Sequence, residues 1–249
     1  MEGALVLMKK LVIIGGNGNV GRKLFNGFNE EYQVLVLDHS VEEETSTFQY
    51  VDATNYDHLL EKIPTDTDVL INLLKIDTDK AVENVDEFNK MTDVFFKASY
   101  YLMLIAQKYN IPRVVFASTN HVTDYYEDNG FSKLGREITT KDYPAPTGLY
   151  GVLKIASEHA AFTFSHNTDL SVINIRIGSV PPDEEQAVKK DDRLKRTLLS
   201  EKDLVNLFQA AVETDVKYGT YYGVSNNKDK PWDISNAINE LGYRPDTSN

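Results

Sequence analysis

The chain of 249 residues contains no cysteine. That excludes disulfide staples, thiolate catalysis and cysteine-bound zinc, and it fits a reducing, cytoplasmic setting. Basic charge is scarce: 26 Lys and Arg against 38 Asp and Glu leave a net charge of −12. A nucleic-acid groove needs a basic stripe, so none is expected. No apolar run reaches transmembrane length, so no membrane partner is expected either. The five histidines, His39, His58, His121, His159 and His166, lack His-x-x-x-His or carboxylate-paired spacing, and no metal site is expected. Residues 1–8 carry a short apolar patch, Ala4-Leu5-Val6-Leu7, with no basic region before it and no small-residue cleavage site. They read as a leader ahead of a start near Met8, not as a signal peptide.

Against these absences stands a regular alternation. Short, nearly continuous apolar runs at 10–14 (KLVII), 33–37 (QVLVL), 68–73 (DVLINL), 113–117 (RVVFA) and 171–177 (SVINIRI) alternate with helix-period segments at 19–28, 56–63, 82–109 and 149–164. Strands buried on both faces have this composition, because a parallel sheet is covered by helices above and below. Asn110 with Ile111-Pro112 stops the long helix before the next strand. The order predicts an α/β fold, a Rossmann-type doubly wound parallel sheet with right-handed crossovers.

From Pro181-Pro182 the chain turns polar as far as residue 199. A helix at 201–212, a strand at 219–224 and a short helix at 234–241 follow. The expected organisation is one compact unit. A dinucleotide-binding core spans 9–180, and a small C-terminal substrate cap over 181–249 sits above the carboxyl ends of the strands. The acidic stretch 124–143, with paired tyrosines and Gly130, reads as the longest loop and the border of a cleft.

Gly15-Gly16-Asn17-Gly18-Asn19-Val20-Gly21 places Gly-x-x-Gly-x-x-Gly directly after the first strand. Gly15, Gly18 and Gly21 permit a tight turn, while Asn19 and Val20 open a helix whose positive end faces a pyrophosphate. Asp38 ends the second strand about 20 residues beyond Gly18, where a carboxylate accepts bonds from the adenosine ribose hydroxyls. A carboxylate there repels a 2′-phosphate, so the expected cofactor is NAD rather than NADP. Asp52, after the third strand, is placed either near the adenine amino group or at a helix N-cap. Leu73, at the end of the fourth strand, is expected beside the cofactor.

Tyr150 and Lys154 lie four residues apart, one turn from each other on one helix face. They follow a Ser118-Thr119 pair at the end of the fifth strand, where ligands gather in such sheets. A free tyrosine titrates near ~10 and is a poor base at neutral pH. A lysine ammonium one turn away, helped by the nearby positive nicotinamide, favours the phenolate. The lysine is also expected to hold the nicotinamide ribose, and the Thr119 hydroxyl to bond the substrate alcohol. The three signals in this order point to hydride movement between a nicotinamide and an alcohol.

On these motifs the chain resembles the extended short-chain dehydrogenases/reductases, the NAD-dependent epimerase/dehydratase family, over nearly its whole length from Lys10. Ser118-Thr119-Asn120-His121-Val122 is similar to a Ser-Ser-Asn-His stretch of uronate dehydrogenases. So are Arg176-Ile177-Gly178-Ser179, the segment from Arg193 to Ser200, and Trp232-Asp233 with Leu241-Gly242-Tyr243-Arg244-Pro245. The resemblance implies Thr119, Tyr150 and Lys154 as the catalytic set, with Asn120, His121, Ser179 and Arg193 lining a sugar. Arg193 would grip a hexuronate carboxylate with two parallel bonds. Three positions depart from the family pattern. Leu74-Lys75 replaces a small-residue turn, Asp77 takes the place of a hydroxyl residue facing substrate, and Phe95-Phe96 replaces an asparagine of a proton path.

The expected function is NAD-dependent oxidation of a small sugar-like alcohol, a hexuronate at C1 being the first candidate. Two other readings stand beside it: a nucleotide-sugar epimerase or dehydratase with retained NAD, and an NAD-binding sensor without turnover. The helix around 94–106 is apolar nearly all round, and in the superfamily its counterpart joins a two-fold interface, which implies a homodimer.

Overall fold

The computed structural model describes residues 8–78 and 82–246. All but Met8 of the expected leader lies outside them. Seven strands form one sheet: β1 (Lys10–Ile14), β2 (Gln33–Asp38), β3 (Phe48–Tyr50), β4 (Val69–Asn72), β5 (Arg113–Thr119), β8 (Ser171–Ile177) and β9 (Tyr218–Gly223). Their order is β3-β2-β1-β4-β5-β8-β9, and every neighbouring pair is parallel. A two-stranded antiparallel hairpin, β6 (Glu127–Asp128) with β7 (Phe131–Ser132), stands apart from it. Among the described residues no helix is long and apolar enough to cross a membrane.

The alternation of side chains along each strand divides the core in two. On one face Leu11 and Ile13 of β1 join Ile71, Val115 and Ile173 beneath α1 (Asn19–Phe28) and α8 (Glu201–Glu213). On the other, Val12 and Ile14 join Leu70, Val114 and Val172 beneath α2 (Tyr56–Lys62), α4 (Ala98–Lys108) and α5 (Leu149–Asn167). Strands with both faces covered need a branched apolar residue at nearly every position, which is how they read in the sequence.

Several elements differ from expectation. The single helix expected over 82–109 is three pieces: α3 (Val85–Met91), a π-helical turn at Thr92–Lys97, and α4. It is not buried all round, since Tyr100 is exposed while Phe95, Leu102 and Met103 are buried. The stretch 124–143 is not all loop, because a 3-10 segment (Asn120–Tyr126) runs into the β6–β7 hairpin. The polar stretch after residue 181 contains α6 (Glu184–Lys190), capped by the Asp183 side chain accepting from Gln186 N, and α7 (Leu194–Thr197), which has no side-chain cap. The sheet and its cover also continue past residue 180. β9 pairs with β8, and Leu204, Leu207, Phe208 and Trp232 share one core with Leu11 and Ile13.

Candidate active site

The order of the strands reverses between β1 and β4, and a crevice opens there at the carboxyl ends of the parallel strands. Gly15 forms its floor. Its φ is +77°, and a side chain on it would meet the Leu73 and Leu74 backbone at 3.0 Å. Only glycine serves a turn that is both left-handed and this close to a neighbouring strand end. Gly21 presses α1 onto the same turn: a Cβ there would fall 2.3 Å from the Gly16 backbone. Gly18 is the N-cap of α1 and puts no side chain over the helix end, so the helix end stays open to an anion. A cavity of 550 Å³ lies against Gly15, Gly18, Asn19, Val20 and Gly21, with Leu73 and Asp77 in its wall.

A second cavity of 280 Å³ continues from it past Asp38 to Val51, Asp52, Ala53 and Val94. Asp38 is buried at the end of β2 and accepts from Asn17 N at 3.0 Å and from the Ser40 N–H and hydroxyl at 2.8 Å. The carboxylate therefore holds the glycine turn as well as bordering the cavity. Asp52 accepts from the Thr54 N–H at 2.9 Å and hydroxyl at 2.7 Å, and Asn55 caps α2 instead. Of the two positions open to Asp52, the structure leaves the one beside the cavity. These residues fit a dinucleotide: an unobstructed helix end for the pyrophosphate, a carboxylate at the second strand, and an apolar slot beyond it.

Thr119 is the last residue of β5, buried, and its hydroxyl accepts from His121 N at 3.2 Å. Tyr150 stands in the first turn of α5 with its ring edge-on to Phe95 at 4.9 Å and to His121 at 5.8 Å. Burial pushes the Tyr150 phenol up, and the hydrogen bond with the Thr119 side chain offsets only part of that rise. Lys154 lies one turn further, 2% exposed, and donates to Ala117 O at 2.9 Å and Leu74 O at 3.2 Å. It thereby ties α5 to the ends of β4 and β5. Its ammonium sits 5.1 Å from the Phe95 ring centre, 4.9 Å from that of Phe116 and 5.9 Å from that of Tyr150. Burial brings its pKa down to about 7, opposed by the carboxylate of Glu158 and helped by the charge of Lys75.

The π turn explains how phenylalanine comes to stand here. The extra residue in the helix turns Phe95 fully inward, and its carbonyl accepts from the Ser99 and Ser157 hydroxyls at 2.6 and 2.8 Å. Its ring then fills the space beside Tyr150 and Lys154.

The expected sugar-lining residues fall into two groups. His121 Nδ1 faces the Asp124 carboxylate at 2.9 and 3.0 Å, and Asn120 is buried beside it in the chain. Ser179, two residues past the end of β8, meets the Thr197 hydroxyl at 2.9 Å and Arg193 Nη1 at 3.4 Å. The Arg193 guanidinium is taken up by Glu127: Nε to Oε1 at 3.1 Å and Nη2 to Oε2 at 2.8 Å. Sequence reasoning missed Glu127, for which a polar loop gave no signal. It also missed Glu158, whose position four after Lys154 on the same helix face was legible. Glu158 binds Arg176 through bonds of 3.0 and 2.8 Å, with both side chains nearly fully buried, and accepts from the Ser118 hydroxyl.

Comparison with known proteins agrees with this fold. A Bacillus subtilis (strain 168) protein named YtbQ, described as uncharacterised, is 50% identical over 96% of this chain and 94% of its own length. The L-arabinose 1-dehydrogenase (NAD(P)(+)) of Haloferax volcanii is 26% identical over 96% of each chain. A solved structure of a mutated uronate dehydrogenase superposes with a TM-score of 0.81 at 26% identity, over 97% of this chain and 83% of that one. The sequence pattern of the NAD dependent epimerase/dehydratase family matches residues 11–181. The chain belongs to that family, of the extended short-chain dehydrogenase/reductase type.

Proposed function

We propose that the protein oxidises a hydroxyl of a small sugar-like alcohol, with C1 of an aldose-type ring as the reacting carbon. The observation that carries this reading is the convergence of Thr119, Tyr150 and Lys154 at the carboxyl edge of β5, beside the two cavities that fit a dinucleotide. Tyr150 as phenolate takes the proton of the substrate hydroxyl. Thr119 hydrogen-bonds the same oxygen and lowers the cost of ionising the phenol. In its protonated form Lys154, held by the Ala117 and Leu74 carbonyls, supplies positive charge that favours the phenolate. Bound NAD⁺ supplies the hydride acceptor.

A hexuronate oxidised to its lactone is the substrate that the uronate dehydrogenase resemblance brings first. The name of the L-arabinose relative brings an uncharged aldose equally into range. The test is NADH formation, followed by absorbance, with NAD⁺ and a panel of hexuronates, neutral aldoses, phosphosugars and polyols. One or more members should give NADH. Tyr150→Phe should lower the rate by about 10²- to 10⁴-fold while NAD⁺ still binds. Turnover persisting in that variant would remove Tyr150 from its role. Conversion of a nucleotide sugar without net NADH would point to epimerisation instead.

A further inference from the structure

The Arg193 guanidinium is the cationic fork that the uronate dehydrogenase resemblance assigns to a substrate carboxylate, yet the chain itself supplies a carboxylate for it. Glu127 opens β6, eight residues after Thr119, and Arg193 immediately precedes α7. Their two parallel N–H···O bonds, 3.1 and 2.8 Å, are the planar pairing that a guanidinium makes with a free carboxylate. The Glu127 side chain is 8% exposed and the Arg193 side chain 27%, so solvent screens the pair only partly.

Glu127 is also held from other directions. Gly130 N–H donates to Glu127 Oε1. The hairpin that carries Glu127 is fastened to the Arg193 segment a second time by Arg196, which donates to Asn129 O at 2.8 Å and lies 3.9 Å over the Phe131 ring. The third arm of the Arg193 guanidinium, Nη1, is directed at Ser179 Oγ. A carboxylate arriving from solution would have to displace Glu127 from Arg193 and leave its charge with the Gly130 N–H alone in a half-buried place, a cost that the same pairing with the newcomer does not return. Two further carboxylates carry the same sign of charge in the site region: Asp77 lines the larger cavity, and Asp124 faces His121. A hydroxymethyl group or a hydrogen in place of the sugar carboxylate meets none of these penalties, and its hydroxyl can bond Ser179 or the outer lone pairs of Glu127.

We propose that Glu127 is a specificity residue: a built-in carboxylate that occupies Arg193 and turns the pocket toward uncharged aldoses and away from uronates. The assignment rests on the sugar-oxidation reading, because it concerns which sugar that site accepts. It works by charge repulsion against the unwanted ligand as much as by contacts to the accepted one.

The test compares sugars that differ only at C6, galactose with galacturonate and glucose with glucuronate, in wild type and in Glu127→Gln. The amide keeps an oxygen for the Gly130 N–H and drops the charge. In wild type kcat/KM should favour the neutral sugar by about tenfold or more, and in Glu127→Gln the uronate-to-aldose ratio should rise by about tenfold or more. Wild type that oxidises uronates as well as the matched aldoses overturns the proposal, and so does an unchanged ratio in the variant. The wild-type preference stands as a test even if the variant does not fold. Should no sugar give NADH, the same four are titrated calorimetrically into the NADH-loaded proteins. Uronate binding gained only by Glu127→Gln would uphold the role of Glu127 while the oxidation reading fell, and absence of sugar binding in both proteins would overturn both.

Discussion

Lys154 is almost wholly buried, and two of its three donors go to main-chain carbonyls, so burial draws its pKa from 10.5 to about 7 against the pull of Glu158. The sign of the linked stability follows. Between about pH 7 and 10 the unfolded chain holds a proton on this lysine that the folded chain has shed, so stability from this group rises with pH across that window. Below about 7 both states are protonated and the gain is absent. Denaturant unfolding of the cofactor-free protein at pH 7 and at pH 9.5 or so should show this rise, and Lys154→Met should show less of it. An equal slope in both proteins would mean that the lysine stays charged when folded. Asp38 acts at the same scale. With its oxygens on the Asn17 and Ser40 N–H groups it shapes the glycine turn and borders the cofactor cavity. Asp38→Ala should raise the KM for NAD⁺ by about tenfold or more and narrow the preference for NAD⁺ over NADP⁺, read from initial rates with each.

At the scale of elements, α5 carries Tyr150, Lys154 and Glu158 on one face and fastens the site to the sheet through all three. The Glu158–Arg176 pair joins α5 to β8, and Arg176 also reaches the Tyr222 hydroxyl on β9 at 3.3 Å. Glu158→Gln leaves Arg176 charged and poorly paired in the core, which should cost about 3–5 kcal/mol in urea unfolding. A loss well under 1 kcal/mol or so would show that the network bears little of the fold. What the sequence disclosed was local in origin. The glycine spacing after β1, the strand-end Thr119 and the four-residue step from Tyr150 to Lys154 are each set within one turn or one strand. What it withheld depended on length or distance. β3 has only three residues, Phe48–Tyr50, too few for any period to show, so its place before Asp52 was legible but its bounds were not. The π turn adds one residue to a helix, which swings the following side chains by about 100° without altering composition. Glu127 finds Arg193 across 66 residues, and nothing near either residue announces the other.

At the scale of the whole molecule, the net charge of −12 is unevenly spread. The two charged residues of α5, Lys154 and Glu158, are both buried, so its outward stripe of Val152, His159, Phe162 and His166 carries no amine or carboxylate. Val152 and Phe162 are exposed there, and exposed Tyr100 of α4 lies ring to ring with Phe164 at 5.6 Å, so the apolar surface runs across both helices. A face of this kind, on a molecule otherwise rich in repelling carboxylates, suits self-association about a two-fold axis, since a symmetric contact brings each patch against its own copy. We propose a homodimer through the outer faces of α4 and α5. Light scattering coupled to gel filtration should give a dimer mass at micromolar concentration. Phe162→Glu should shift it toward the monomer, because each copy would then bring a carboxylate to the axis and face its twin. The melting temperature of wild type should rise with protein concentration, whereas that of the variant should not, as mass action requires of a fold that gains stability by pairing. A monomer mass for wild type across that range would overturn the dimer and leave the α4–α5 face to some other partner.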